Sequence, residues 1–128
     1  MTRIMIVDDY KAVREGLKRL LEAEPDFEVV GEAASGLGVA ALVDQIKPDV
    51  LILDIGLPDI SGLEVLKLLG NRLETLRVVM LSMFSEPEQV SDAFHNGALA
   101  YVHKDRGATE LTDAIYEVLQ GHQYLSSG

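Results

Sequence analysis

Apolar positions along this chain alternate between two kinds of segment. One kind is short and rich in β-branched residues. Ile4-Met5-Ile6-Val7 precedes Asp8-Asp9, and Phe27-Glu28-Val29-Val30-Gly31-Glu32-Ala33 follows Pro25-Asp26. Val50-Leu51-Ile52-Leu53 runs into Asp54, Val78-Val79-Met80-Leu81 ends at Ser82, and Ala100-Tyr101-Val102-His103 ends at Lys104. Three of these are nearly continuous apolar runs, as expected of strands buried on both faces. The other kind has helical spacing. Val13, Gly16, Leu17, Leu20 and Leu21 fall at i, i+3, i+4, i+7 and i+8. Val39, Leu42, Val43 and Ile46 repeat the first four terms, as do Val90, Ala93, Phe94 and Gly97, and Leu111, Ala114, Ile115 and Val118. Leu63, Leu66 and Leu73 mark one more helix. Ser61-x-x-Glu64 and Ser85-x-x-Glu88 read as capping boxes that open two of these helices, and Pro87 sits in a first turn, where its missing N–H costs little.

The pattern predicts an α/β fold of five βα units with short connections. Strands alternating with helices imply a parallel sheet with helices on both faces. Right-handed crossovers leave few topologies, and the flavodoxin-like order 2-1-3-4-5 is the common one for five strands. No internal linker, repeat or low-complexity tract interrupts the pattern, and only the tail, residues 121–128, offers a boundary. In such a sheet the ligand crevice lies beyond the carboxyl ends of the strands. Strand 1 ends at Asp8-Asp9, strand 3 at Asp54, strand 4 at Ser82 and strand 5 at Lys104; strand 2 ends in Ala33-Ala34-Ser35, with nothing ionisable at its tip. An aspartate after a strand is often a turn residue, a lone lysine is usually solvated, and a lone serine is usually a loop hydroxyl. Convergence of all five on one rim changes that reading.

Composition narrows the chemistry. The chain has 128 residues, is 48% hydrophobic, and carries 11 Lys+Arg against 21 Asp+Glu, a net charge of -10. It has no cysteine, which removes disulfides, thiolate zinc sites and cysteine nucleophiles together. No apolar run approaches the roughly 18 residues of a membrane span, and the first apolar run is too short for a signal peptide. A cytoplasmic location without a membrane partner is expected. The acidity argues against this domain gripping a phosphate backbone itself, which needs Lys and Arg. Clustered carboxylates raise one another's pKa unless a cation sits among them. All-oxygen ligation suits Mg²⁺ or Mn²⁺ rather than zinc.

These strand ends, together with Leu57-Pro58-x-x-Ser61-Gly62 after strand 3 and the interval from Ser82 to Lys104, closely resemble the CheY-like receiver domain of two-component response regulators, over about residues 3–120. The resemblance implies a phosphoacceptor switch, not a conventional enzyme, that catalyses its own phosphoryl uptake and loss. Asp54 would be the phosphoryl acceptor. Asp9 would bind Mg²⁺ directly, Asp8 largely through water, with Asp54 and the Gly56 carbonyl completing the protein ligands. Lys104 would pair with one phosphoryl oxygen and Ser82 with another. Tyr101, also readable as a strand aromatic filling a groove, matches the family's switch residue, which rotates inward as Ser82 moves and changes the surface of helix 4, strand 5 and helix 5. A sensor histidine kinase or a small acyl phosphate would be the donor.

The segment Gly121-x-x-Tyr124-Leu125-Ser126 resembles the end of receivers in the NarL/FixJ-type group. It implies a receiver over residues 1–121, the start of a C-terminal linker over 122–128, and a helix-turn-helix output domain beyond Gly128. A stand-alone receiver is the alternative. DNA would be reached only through that output domain, and phosphorylation would favour homodimers.

Departures from the family pattern are Asp105 where proline is common, which leaves the isomer of the Lys104–Asp105 bond open, and the large Met83 beside Ser82. Gly56 and Phe84 fill the two variable flanking positions, and the bulk of Phe84 is expected to hinder an attacking water. Rival classes fit less well. A haloacid-dehalogenase-like phosphatase needs an acid/base aspartate where Gly56 stands. A dinucleotide module needs a glycine-rich loop after strand 1, and Gly31-Glu32-Ala33-Ala34-Ser35-Gly36 does not fit it. A degenerate receiver would not keep Asp8, Asp9, Asp54, Ser82 and Lys104 together.

Overall fold

The computed structural model describes residues 1–84 and 86–126. In chain order it comprises β1 (Thr2–Val7), α1 (Lys11–Glu22), β2 (Phe27–Ala33), α2 (Val39–Ile46), β3 (Val50–Asp54), α3 (Gly62–Leu69), β4 (Arg77–Ser82), α4 (Pro87–His95), β5 (Ala100–His103), α5 (Gly107–Leu119) and β6 (Tyr124–Leu125). The strands form one parallel sheet in the order β2-β1-β3-β4-β5-β6. The expected order 2-1-3-4-5 holds, and a two-residue sixth strand extends it. Two residues cannot display a period-2 alternation, so no sequence pattern announces β6. Its anchors are backbone bonds: Tyr124 N–H donates to the Leu99 carbonyl at 3.0 Å and Ser126 N–H to the Tyr101 carbonyl at 2.9 Å.

Alternate residues of each central strand feed two separate cores. Met5, Val7, Leu51, Leu53, Val78, Met80 and Tyr101 pack under α2, α3 and α4. Ile4, Ile6, Val50, Ile52, Val79, Leu81 and Val102 pack under α1 and α5. Both faces are dry, which is why these strands read as unbroken apolar runs. Each such side chain contributes about 1.5–3 kcal/mol on full burial. Among the described residues, no helix is long and apolar enough to cross a membrane.

Helix ends show where periodicity misleads. Ser61 Oγ accepts from Glu64 N–H at 3.2 Å, as its capping box requires. The Ser85 box lies outside the described residues; α4 starts after Glu86 with Pro87 in its first turn. Leu73 does not continue α3. The chain turns at Gly70, φ 52°, into a 3₁₀ turn over Gly70–Glu74 that carries Leu73 to the core by another route. Gly97 is the stop signal of α4 and not a member of its apolar face: at φ 106° it closes a Schellman motif, with Ala98 N–H on the Ala93 carbonyl at 3.0 Å.

Register sets the rim. Val7 lies opposite Leu53, Asp54 opposite Leu81, and Ser82 opposite His103. Asp8, Asp54, Ser82 and Lys104 therefore leave four adjacent strands at nearly one level.

Candidate functional site

Among the described residues, the buried polar or charged side chains are Asp8, Asp54 and Ser82, and all three lie on this rim. Burying such groups costs free energy unless partners compensate. Lys104 supplies one partner: its Nζ lies 2.9 Å from Asp8 Oδ2 and 3.1 Å from Asp54 Oδ2. Asp54 Oδ1 accepts from Gly56 N–H at 3.2 Å, and Asp8 Oδ1 from Tyr10 N–H at 2.9 Å. Burial pushes the Asp54 carboxyl above its usual value and the Asp8 charge adds to this, against the opposing pull of Lys104 and the Gly56 N–H. Burial works to lower the Lys104 pKa, but the Asp8 and Asp54 carboxylates outweigh it and hold the ammonium above its usual value.

The carboxylates are not fully satisfied. Asp9 Oδ1 is buried without a hydrogen-bond partner, and Asp8 Oδ2 has only the ion pair with Lys104, with no aligned donor. Asp8, Asp9 and Asp54 each present an oxygen within 4.8 Å of the others. Three clustered carboxylates, two of them with an oxygen short of donors, suit a hard divalent cation. Gly56 sits beside Asp54 on a cavity of about 110 Å³, whose other walls include Tyr10, Ser82, Met83, Phe84 and Lys104. A larger concavity of about 600 Å³ opens at the opposite pole, beside Asp49 and Leu76. Its Arg72 and Asp44 neutralise each other at 2.7 and 2.8 Å, and none of the rim carboxylates reaches it.

Ser82 and Tyr101 meet at one residue, Phe84. Ser82 Oγ accepts from Phe84 N–H at 3.0 Å, and the Tyr101 hydroxyl donates to the Phe84 carbonyl at 2.7 Å. Tyr101 is turned inward and buried, which raises its hydroxyl pKa. Among the described residues there is no cis peptide, so the Lys104–Asp105 bond is trans. Asp105 N–H donates to His103 Nδ1 at 3.2 Å, a contact that proline could not make.

Periodicity passed over several supporting residues. Arg14 Nη1 donates to the Asp8 carbonyl at 2.7 Å while its Nε meets Glu32 Oε1 at 3.1 Å. A strut thus runs from β2 to the carboxylate loop, and its polar residues carried no signal in an apolar pattern. Gly62 is a second case. A Cβ built there would lie 2.2 Å from the Asp54 carbonyl oxygen and 2.8 Å from Ile55 Cα, both backbone atoms that cannot swing aside. The close approach lets Gly62 N–H reach the Ile55 carbonyl at 2.8 Å and locks the loop after Asp54. Gly62→Ala is expected to destabilise the fold by about 2 kcal/mol, as overpacking does. Thermal melting would read this as a drop of several degrees, and an unchanged melting temperature would contradict the packing.

The family model for the response regulator receiver domain matches residues 4–116. The chain is 39% identical over 127 residues to the DNA-binding transcriptional activator DevR/DosR of Mycobacterium tuberculosis, covering 99% of this chain and 58% of that protein. It is 36% identical over 123 residues to the transcriptional regulatory protein DegU of Brevibacillus brevis, covering 96% of this chain and 52% of that protein. The chain therefore spans little more than half the length of these curated relatives. A crystal structure of a LuxR-family two-component response regulator from Aurantimonas sp. superposes with a TM-score of 0.90 at 34% identity, covering 97% of this chain and 89% of the other.

Proposed function

This chain belongs to the response regulator receiver domain family, its relatives being transcriptional regulators of the NarL/LuxR type, and we propose that Asp54 is its phosphoryl acceptor. The supporting observation is the buried Asp54 carboxylate, held between the Gly56 N–H and the Lys104 ammonium beside Asp8. An Asp54 oxygen attacks phosphorus, the bond from phosphorus to the donor breaks, and the donor leaves with its electron pair. The product is an acyl phosphate. The donor is the phosphohistidine of a sensor histidine kinase or a small acyl phosphate.

Asp8, Asp9, Asp54 and the Gly56 carbonyl would hold Mg²⁺ or Mn²⁺, a role that the partnerless Asp9 Oδ1 supports. When bound, the cation neutralises charge on the phosphoryl oxygens. Lys104 exchanges its contact with Asp54 for a phosphoryl oxygen, and its positive charge, already held at the rim, stabilises the transition state. Ser82 turns its hydroxyl from Phe84 N–H to another phosphoryl oxygen. Tyr101 holds the carbonyl of the same residue, Phe84, so it carries the shift to the surface of α4, β5 and α5. Added charge thereby biases a two-state element. Self-catalysed hydrolysis by water resets the switch.

Phe84 narrows the approach to Asp54, and Phe84→Ala is expected to shorten the phosphorylated half-life about threefold. A variant that holds its phosphoryl group as long as wild type would remove Phe84 from this role. In this reading residues 1–121 form the body of the receiver, and 122–128 lead from it toward a helix-turn-helix output domain, with β6 tying the start of that segment to β5. The full protein would act on DNA in the cytoplasm, as a homodimer when phosphorylated.

Incubation with acetyl phosphate and Mg²⁺ tests the proposal. Intact mass is expected to rise by one phosphoryl group, labile to hydroxylamine and mapping to the peptide that contains Asp54, with EDTA abolishing the gain. A wild type that gains no such mass, or gains it on another peptide, would sink the reading.

A further inference from the structure

The first residue after the paired aspartates is a large aromatic in a position that helix physics would give to a small polar one. Tyr10 is the N-cap of α1, and its side chain makes no capping hydrogen bond. Ser, Thr, Asp or Asn there would satisfy an orphan N–H and stabilise the helix. Nor does Tyr10 serve the core: it is 64% exposed and belongs to neither hydrophobic cluster. Its ring goes elsewhere. It forms a wall of the cavity over Asp54, and its centroid lies 5.9 Å from Lys104 Nζ. Its backbone is tied down on both sides, with its N–H on Asp8 Oδ1 at 2.9 Å and its carbonyl accepting from Arg14 N–H at 3.1 Å. The ring is thus carried by the same anchored loop that carries Asp8 and Asp9.

We propose that Tyr10 is a positioning residue for phosphoryl transfer: its ring face holds the Lys104 ammonium over the cavity, aimed at the position that a phosphoryl group on Asp54 would occupy. The proposal rests on Asp54 being the acceptor. Lys104 has a long, flexible stem, and two carboxylates draw it inward. A cation above the face of a tyrosine is attracted by the ring quadrupole. That third contact favours a position in which the ammonium spans the carboxylates and the open cavity. The attraction persists when Lys104 gives up Asp54 for a phosphoryl oxygen, so it assists the reacting arrangement and not only the resting one.

The weak capping of Tyr10 supplies the test. Tyr10→Ser puts a better cap on α1, so the fold is expected to melt no lower than wild type. Phosphoryl uptake from acetyl phosphate, followed by intact mass at saturating Mg²⁺, is expected to slow about threefold, the range of a partly exposed cation–π contact. Tyr10→Phe keeps a ring and is expected to recover most of the rate. Mg²⁺ affinity, measured by calorimetry without any phosphodonor, is expected to stay the same in all three proteins, because the ring meets Lys104 and not the carboxylates. Uptake by Tyr10→Ser at the wild-type rate would overturn the proposal, as would a Tyr10→Phe variant as slow as Tyr10→Ser. A fall in Mg²⁺ affinity that tracks the fall in rate would reduce Tyr10 to a support for the loop. A wild type that takes up no phosphoryl group on Asp54 would overturn Asp54 as the acceptor as well, which separates that failure from this one.

Discussion

Asp54→Asn is expected to abolish phosphoryl uptake while leaving the fold as stable as wild type or more so. The two effects come from one fact. Asp54 is 3% exposed, and burial and the neighbouring Asp8 charge raise its pKa above the usual 3.8. A carboxyl whose pKa is raised by folding makes the folded state less stable once it ionises. That cost is absent below pH 3.8 and is fully present above the raised value. At neutral pH the wild type carries it. Asparagine matches the shape, keeps an oxygen for the Gly56 N–H, and removes the charge. Lys104 retains Asp8 as its partner at 2.9 Å. The amide oxygen is too weak a nucleophile to attack phosphorus, so the hydroxylamine-labile adduct is expected to vanish. Thermal melts in EDTA across the acidic range check the stability half. Wild type should lose stability relative to Asp54→Asn as pH rises through the Asp54 titration. An asparagine variant that still gains a phosphoryl mass would remove Asp54 as acceptor. One that melts well below wild type at pH 7 would show that the pairing with Lys104 outweighs the cost of burial.

The rim was legible because a parallel sheet turns sequence order into place. Each strand was visible as an apolar run, and the residue that ended the run had to lie at one edge. Asp8, Asp54, Ser82 and Lys104 needed no further information, and register brings them level. The dual grip of Ser82 and Tyr101 on the backbone of Phe84 was not legible, because it depends on the path of the loop after β4. Gly62 could be quoted as part of a motif, but its reason is a backbone approach from a loop seven residues earlier. Arg14 lies on the half-exposed side of α1, where its partners are set by tertiary packing. Helix ends failed for the opposite reason. Leu73 and Gly97 satisfied the apolar spacing, yet positive φ at Gly70 and Gly97 had already ended the helices. Spacing reports which face a residue would occupy, not whether the backbone is still helical there.

Lys104→Met is the substitution whose consequences should diverge most. Phosphoryl uptake is expected to slow about 100-fold, the scale of removing one preorganised group that meets developing charge. Without divalent cation the fold is expected to lose about 3 kcal/mol, because two adjacent buried carboxylates are left uncompensated. At this chain length that corresponds to about 10 °C in melting temperature. Methionine keeps most of the volume, so the loss reports charge and not a cavity. Mg²⁺ affinity should move the other way. The ammonium lies 2.9 Å and 3.1 Å from oxygens of Asp8 and Asp54, two of the three residues whose oxygens cluster there. Any divalent cation at those oxygens meets its positive charge at close range. Removing it should tighten Mg²⁺ binding about tenfold, so Mg²⁺ should raise the melting temperature of Lys104→Met more than that of wild type. Uptake, affinity and stability would then shift in three distinguishable ways. A variant that binds Mg²⁺ more weakly than wild type would mean that Lys104 organises the carboxylates for the metal. A variant with near-normal uptake would place the cation that stabilises transfer elsewhere on the rim.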